Sequence, residues 1–376
     1  MTKPMKVGVM GCGQISGIYI ETMQKMKDTQ LVACADIMPE AVKFRADMYN
    51  IPRRYTPQQL LDDPEIELIL NVTIPEAHAE IATAALEAGK HVYNEKPLAV
   101  TRQDARRFLD LAARKGLRVG CAPDTFMGAG IQTCKKLIED GAIGKPVSAV
   151  AFMMHHFFEM KWEERQESPT RQHVGKKSPG SYLQPGYGPM FDMGPYYLTA
   201  LSVLIGPVRR ATGSAQITWP ERPLGNPQYK VGTPTHVAGV MDHDNGAVSV
   251  IITSLDVWPT GLPFIEIYGE TGSLSVPDPN NFGGQVRLRK ANEWEWTDVP
   301  LTHSYPTDHR GLGIADMVRS IRLGRPHRAS GDLAYHVLDV AHAIHDASRE
   351  NRHIEVTSDF ARPKTLKADL AEGEMD

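Results

Sequence analysis

Three stretches of this 376-residue chain carry residue types that could serve one reaction. The first, "GCGQIS", places Gly11 and Gly13 ahead of Gln14, Ile15 and Ser16. A glycine at the first position permits a tight turn, and one at the second lets the backbone approach a pyrophosphate whose charge meets the free N–H groups of a helix start. Asp36 ends the next apolar run, 25 residues after Gly11. A carboxylate there accepts hydrogen bonds from ribose hydroxyls and repels a 2′-phosphate. Neither Ile37 nor Met38 offers a positive charge, so the pattern favours NAD, with NADP as the other possibility. The ordinary reading of Asp36 is a helix N-cap before "PEAV".

The second stretch, "NEKP", puts Glu95 and Lys96 at the carboxyl end of an apolar strand, the edge where such sheets bind ligands. "TIPEAH" ends another strand at that edge with Thr73, Ile74, Pro75 and His78. His78 either touches the cofactor ribose or caps local backbone groups. The third stretch, "FDMGPYY", precedes an apolar helix. Proline at N1 has a suitable φ and no N–H to leave unpaired, so a helix from about Pro195 is expected. Asp192 and Tyr196 lie four residues apart and can face one direction. By themselves they read as a capping acid and a packed aromatic.

The elements that must position these residues alternate regularly through the first third. Strands "KVGVMG", "LVACAD", "IELILNVT", "HVYNEK" and "RVGCAP" are separated by helical patterns such as "SGIYIETMQKM", "EAHAEIATAALEAG" and "TRQDARRFLDLAARKG". Continuous apolar strands between helices argue for a parallel, doubly wound α/β sheet covered on both faces. After about residue 125 the alternation stops. A helix, a long strand "PVSAVAFMMHHFF", and short alternating runs with "NG" and "TG" turns indicate an α+β unit with an open, mainly antiparallel sheet. The expected division is 1–125, 126–357 and a loose polar tail at 358–376, with the helix near 333–350 packing back on the first unit.

Composition narrows the class. Lys plus Arg number 41 against 45 Asp plus Glu, a formal charge of -4, and no basic run supplies a field for nucleic acid. Four cysteines without metal or disulfide spacing read as small buried residues of a reducing compartment. A strand begins within about five residues of the start, and no apolar stretch is long enough for a membrane helix, so a cytoplasmic protein without a membrane partner is expected. No His, Asp and Glu grouping has ligand spacing for a metal.

"GCGQIS" with Asp36, then "NEKPLA", then "FDMGPYY" before an antiparallel sheet resembles the Gfo/Idh/MocA oxidoreductase family, over nearly all of residues 5–355. The resemblance implies an NAD(P)-binding Rossmann domain, a second domain whose open sheet walls a sugar site, and a homodimer or homotetramer. It implies that Lys96 is the active-site lysine, that Asp192 is the acid of the second motif, and that Tyr196 stands where most members carry a proton-transferring histidine. The glucose-fructose branch also uses tyrosine there. Tyr197 is read as helix packing. The family's Arg-Phe after the sixth strand is replaced by "APDTF", so Asp124 is expected to meet substrate.

The activity implied is hydride transfer between the nicotinamide and a hydroxyl-bearing carbon of a sugar, sugar derivative or cyclitol. A free tyrosine, with its pKa near 10, is a poor base at neutrality. The Lys96 cation is expected to favour the phenolate, which takes roughly 3–4 kcal/mol. Asp192 would orient the substrate hydroxyl or the lysine. Residues 160–190, rich in Pro, Gly and charge, are read as a substrate loop carrying Trp162, Arg165, Arg171, Gln172, His173 and Tyr182. His155 and His156 end a strand, and alternation would send only one of them inward. Two further readings stay open: a glycosidase or lyase that oxidises, eliminates and re-reduces on tightly held NAD, and a non-catalytic NAD-binding protein.

Overall fold

A computed structural model describes residues 3–156, 172–174, 179–223, 228–258 and 260–376. The expected loop residues Trp162, Arg165 and Arg171 lie outside the described residues.

The N-terminal sheet has six parallel strands: β1 (Met5–Met10), β2 (Thr29–Ala35), β3 (Arg53–Tyr55), β4 (Leu68–Asn71), β5 (His91–Asn94) and β6 (Val119–Cys121), in the order β3-β2-β1-β4-β5-β6. This is the doubly wound order whose direction reverses between β1 and β4, where the crevice for a dinucleotide opens. Helices α1 (Ser16–Lys25), α2 (Pro39–Tyr49), α3 (Pro57–Asp62), α4 (Pro75–Glu87) and α5 (Arg102–Lys115) cover the faces. The central strands are mostly apolar because both faces are buried; all four residues of β4 are inaccessible. Helix α5 is bounded as its sequence suggests. Thr101 accepts from Asp104 N at 3.1 Å, and Gly116 closes the C-terminus in the left-handed conformation at φ 66°. The three-residue β3, with its "RRY" sequence, has no alternating or apolar signal; pairing with β2 alone makes it a strand.

Short 3-10 turn Thr125–Met127 and α6 (Ala129–Glu139) lead into the second sheet. Its nine strands are β7 (Pro146–Met154), β8 (Val208–Gln216), β11 (His236–His243), β12 (Val248–Ser254), β13 (Ile265–Gly269), β14 (Gly272–Val276), β15 (Val286–Lys290), β16 (Thr297–Val299) and β17 (Ile354–Glu355), in the order β16-β15-β14-β13-β7-β12-β11-β8-β17. All neighbours run antiparallel except β7 with β12, which are parallel, so the sheet is mixed rather than a simple meander. A separate hairpin pairs β9 (Glu221–Pro223) with β10 (Gln228–Lys230).

Two Gly-Pro steps in "GYGPMFDMGPYY" each start a helix, α7 (Gly188–Asp192) and α8 (Gly194–Leu204). The first of these begins inside 160–190, the stretch read as a substrate loop. Helices α9 (Leu312–Leu323) and α10 (Gly331–Glu350) follow. α10 lies on β8 and also reaches the first sheet, where Arg102 of α5 donates to Asp339 and Asp346, both at 2.6 Å.

The polar tail is not loose. Phe360, Leu366 and Met375 are buried, Leu366 N donates to the Gln132 side chain at 2.8 Å, and Gly373 O accepts from Lys27 N at 3.1 Å. Its few apolar residues are enough to seat it across both units, which polarity averaged over the stretch conceals. Among the described residues no helix is long and apolar enough to cross a membrane.

Candidate active site

The glycine turn is built as its chemistry requires. Gly11 adopts φ 104°, and a Cβ there would stand 2.8 Å from the Val72 carbonyl, so only glycine fits. A Cβ on Gly13 would meet nothing within 4 Å: this is the open side of the cradle. Ser16 replaces the third glycine, and its hydroxyl folds back onto Gly13 O at 2.7 Å. Asp36 is not the N-cap of α2. Its carboxylate accepts from Cys12 N at 2.7 Å and Met38 N at 2.9 Å, and so faces the crevice in a fixed orientation. Ile37 and Ile74 are 87% and 55% exposed on the walls of the same crevice, two large apolar side chains left open to solvent where a flat ring could lie between the strand ends.

A single cavity of about 990 Å³ joins these residues to the second unit. Gly11, Gly13, Gln14, Ile15, Asp36, Ile37, Thr73, Ile74, Pro75, Glu95 and Lys96 line one end. His156, Tyr182, Asp192 and Tyr196 line the other. The volume is at the upper end of the range for small-molecule sites.

Where the two ends meet, Lys96 Nζ donates to Asp192 Oδ1 and to the Asp192 backbone O, both at 2.7 Å. Neither Asp192 nor any other side chain caps α8; Asp192 is held by the lysine instead. The ammonium lies 5.5 Å from the centre of the Tyr196 ring. Burial works against the Lys96 charge, but Asp192 chiefly, then Tyr196 and Glu95, outweigh it and hold the side chain protonated well above its ordinary range. Glu95 fixes the strand end: Tyr19 of α1 donates to its Oε1 at 2.8 Å, and Lys96 N donates to its Oε2 at 2.7 Å.

Tyr196 departs from expectation in one respect. Burial pushes its hydroxyl above the ordinary value, and Lys96, then Arg310, only partly draw it back. The lysine does not by itself bring the phenol toward neutrality, because desolvation of the phenolate exceeds what a cation already paired with Asp192 returns.

Two candidates sit elsewhere. His78 is buried off the cavity, its ring nitrogens 2.7 Å from Pro97 O and 3.3 Å from Thr73 O; it ties two strand-end loops together. Asp124, expected to meet substrate, is also fully buried and lines no part of the cavity. Its Oδ2 accepts from Gly311 N at 2.8 Å and Gly313 N at 2.9 Å, capping the start of α9, while Oδ1 has no partner among the described residues. Burial pushes its pKa up to about 6, against the pull of those two backbone bonds. A carboxyl that binds its proton more tightly folded than unfolded loses stability as pH rises from its unfolded to its folded value. Asp124→Asn is therefore expected to remove a decline in stability of at most about 3 kcal/mol between pH ~4 and ~6, read from urea midpoints across that range.

Both histidines of the pair line the cavity, because β7 ends at Met154 and strand alternation stops there. His156 is buried beneath Trp258, ring centres 3.9 Å apart and nearly parallel. His173 also reaches the wall; Gln172 is exposed and off it. Four polar wall residues had no role assigned from the sequence: Tyr187, Asp278, Asn280 and Arg310; Tyr197, read as helix packing, also lines the cavity. Asp278, Asn280 and Arg310 lie in loops with no periodicity or motif, and only the return of the chain after β14 and β16 brings them to the cavity. Among the described residues no group of three or more His, Cys, Asp or Glu is placed to hold a metal ion.

Residues 5–122 match the model of the oxidoreductase family with an NAD-binding Rossmann fold, and residues 131–275 match the GFO/IDH/MocA C-terminal domain. The chain belongs to the Gfo/Idh/MocA oxidoreductase family. Its first domain is an NAD-binding Rossmann domain, and the cradle at Gly13 with the presented Asp36 carboxylate fits that cofactor. The myo-inositol 2-dehydrogenase of Thermotoga maritima is 27% identical over 143 residues, 38% of this chain and 43% of that protein. The levoglucosan dehydrogenase of Pseudarthrobacter phenanthrenivorans is 29% identical over 233 residues, 58% of this chain and 57% of that one. This chain thus spans less than half the length of the inositol dehydrogenase in the match. A crystal structure of an NAD binding oxidoreductase from Klebsiella pneumoniae superposes with a TM-score of 0.81 at 21% identity, covering 95% of this chain and all of that one. Levoglucosan dehydrogenase in complex with NADH and levoglucosan superposes with 0.79 at 22% identity, over 95% of this chain and 100% of the other.

Proposed function

We propose that this chain is an NAD-dependent dehydrogenase acting on a hydroxyl-bearing carbon of a sugar, sugar derivative or cyclitol. The observation that carries the reading is the meeting of Lys96, Asp192 and Tyr196 in the same cavity that the glycine cradle lines. Relatives named for inositol and levoglucosan support the substrate class.

NAD held by Gly11, Gly13, Asp36 and the walls at Ile37 and Ile74 would supply the hydride acceptor. The remaining work falls to side chains. Lys96, kept charged by Asp192, has one N–H left over from its two bonds to that residue and directs it at the substrate oxygen. Because Asp192 holds that proton on the lysine, Lys96 is a poor proton acceptor, and the hydroxyl proton passes to the Tyr196 oxygen. Asp278, Asn280, His155 and Tyr182 offer the hydrogen-bonding wall that a polyol requires.

The test is NADH formation across a panel of monosaccharides, anhydrosugars, glycosides and inositols, with NADP in parallel. Turnover with NAD on one polyol class and little with NADP is the expected result. No NADH on any member, with a glycoside cleaved and cofactor retained through purification, would replace this reading with redox-assisted cleavage.

A further inference from the structure

We propose that Arg310 is a positioning residue for proton transfer: it stabilises the phenolate of Tyr196, while Lys96 serves the substrate oxygen. This rests on Tyr196 being the proton acceptor.

A buried phenol needs a cation to lose its proton near neutrality. Lys96 is the obvious one, but its charge is answered at 2.7 Å by Asp192, and two of its three hydrogens are spent on that residue. The second cation at the ring is Arg310. It is buried on the cavity wall with its guanidinium carbon 5.9 Å from the centre of the Tyr196 ring, on a different element from the lysine. Its Nη2 donates to Asn280 O at 3.0 Å and Asn280 Oδ1 at 2.6 Å, and Nη1 donates to Asp308. A guanidinium carries five hydrogens in a fixed fork, so a second Nη1 hydrogen and the Nε hydrogen remain for the tyrosine oxygen. It also keeps its charge at any working pH and competes with nothing for the proton.

The fold holds this group still. Arg310 is followed by Gly311 at φ 115°, and Asp124 binds the N–H groups of Gly311 and Gly313. The "APDTF" aspartate therefore acts on the site at one remove, by fixing the backbone from which Arg310 reaches in. The charged and titratable groups around the phenol are Lys96 and Glu95 from the end of β5, Arg310 from the loop before α9, and Tyr19 from α1. Asp308 accepts from the guanidinium, and Asp192 from the lysine. Glu95 opposes the phenolate, which makes the second cation more necessary.

The experiment compares wild type, Arg310→Met, Arg310→Lys and Tyr196→Phe through the pH dependence of kcat/KM for polyol oxidation, with NADH affinity and thermal midpoint measured on each. Arg310→Met is expected to move the limb that rises with pH by about one pH unit toward alkaline, a loss of about tenfold below it that closes above it. NADH affinity should hold, and Arg310→Lys should restore part of the limb's position. Difference titration of tyrosinate absorbance, wild type against Tyr196→Phe and Arg310→Met against its own Tyr196→Phe double variant, should show the same displacement without substrate. A limb that stays in place in folded Arg310→Met, or a loss equal at every pH, overturns the assignment. Wild-type turnover in Tyr196→Phe would instead overturn the proton-transfer reading beneath it.

Discussion

Replacing Lys96 by methionine is expected to lower kcat by about 10³-fold or more, the combined weight of an oxygen-directed cation and the field it exerts on the proton acceptor. Methionine keeps the length and apolar body of the lysine but removes the charge. Two effects then separate. The chemical one is loss of the N–H at the substrate oxygen. The structural one is that Asp192 is left in a mostly buried position without the ammonium at 2.7 Å, which costs roughly 1–3 kcal/mol after allowing for its residual contact with solvent. Stopped-flow kinetics with NADH binding and a urea midpoint distinguish them. Intact cofactor affinity and a modest midpoint change beside a large fall in kcat is the expected pattern. Turnover within tenfold of wild type would mean that the Lys96–Asp192 pair only braces the junction of β5 with α7.

Tyr196→Phe is expected to lower kcat by about 10²–10⁴-fold, the range for removing a positioned acid-base group. Phenylalanine preserves the buried ring, whose centre lies 5.5 Å from Lys96 Nζ and 5.9 Å from the Arg310 guanidinium carbon, so packing is nearly unchanged. The pH dependence carries the sign. With the Tyr196 hydroxyl held above its ordinary value, oxidation needs the phenolate and speeds up as pH rises. Ketone reduction needs the neutral phenol, which is the abundant form at neutrality, and stays flat there. In the variant the rising limb of oxidation should vanish. A variant with unaltered kcat and the same limb would make Tyr196 a packed aromatic and return the proton to another acceptor.

Much of this protein was determined by local pattern. Continuous apolar strands between amphipathic helices bury themselves well as a parallel sheet covered on both sides, so the doubly wound character of the first domain follows from residues within about thirty of one another, whereas β3 and the strand order emerge only from the pairing. Gly11 and Asp36 are legible for the same reason: one answers a backbone demand, the other a fixed distance along a single βαβ unit. The "GPYY" helix start is local as well.

Tertiary structure decided what depends on partners far along the chain. Asp124 reads as a polar residue at a strand end, and only the return of residues 311–313 turns it into a buried helix cap. Arg310 has no motif and gains meaning solely from Tyr196, 114 positions earlier. The tail shows the same limit, since a polar average cannot reveal that Leu366 finds Gln132. The direction of the Tyr196 shift was beyond sequence too, because it is the difference between a burial cost and two cations brought in by separate loops. Backbone geometry and periodicity are written into neighbouring residues, whereas the electrostatics of the site arise from long-range closure of the chain.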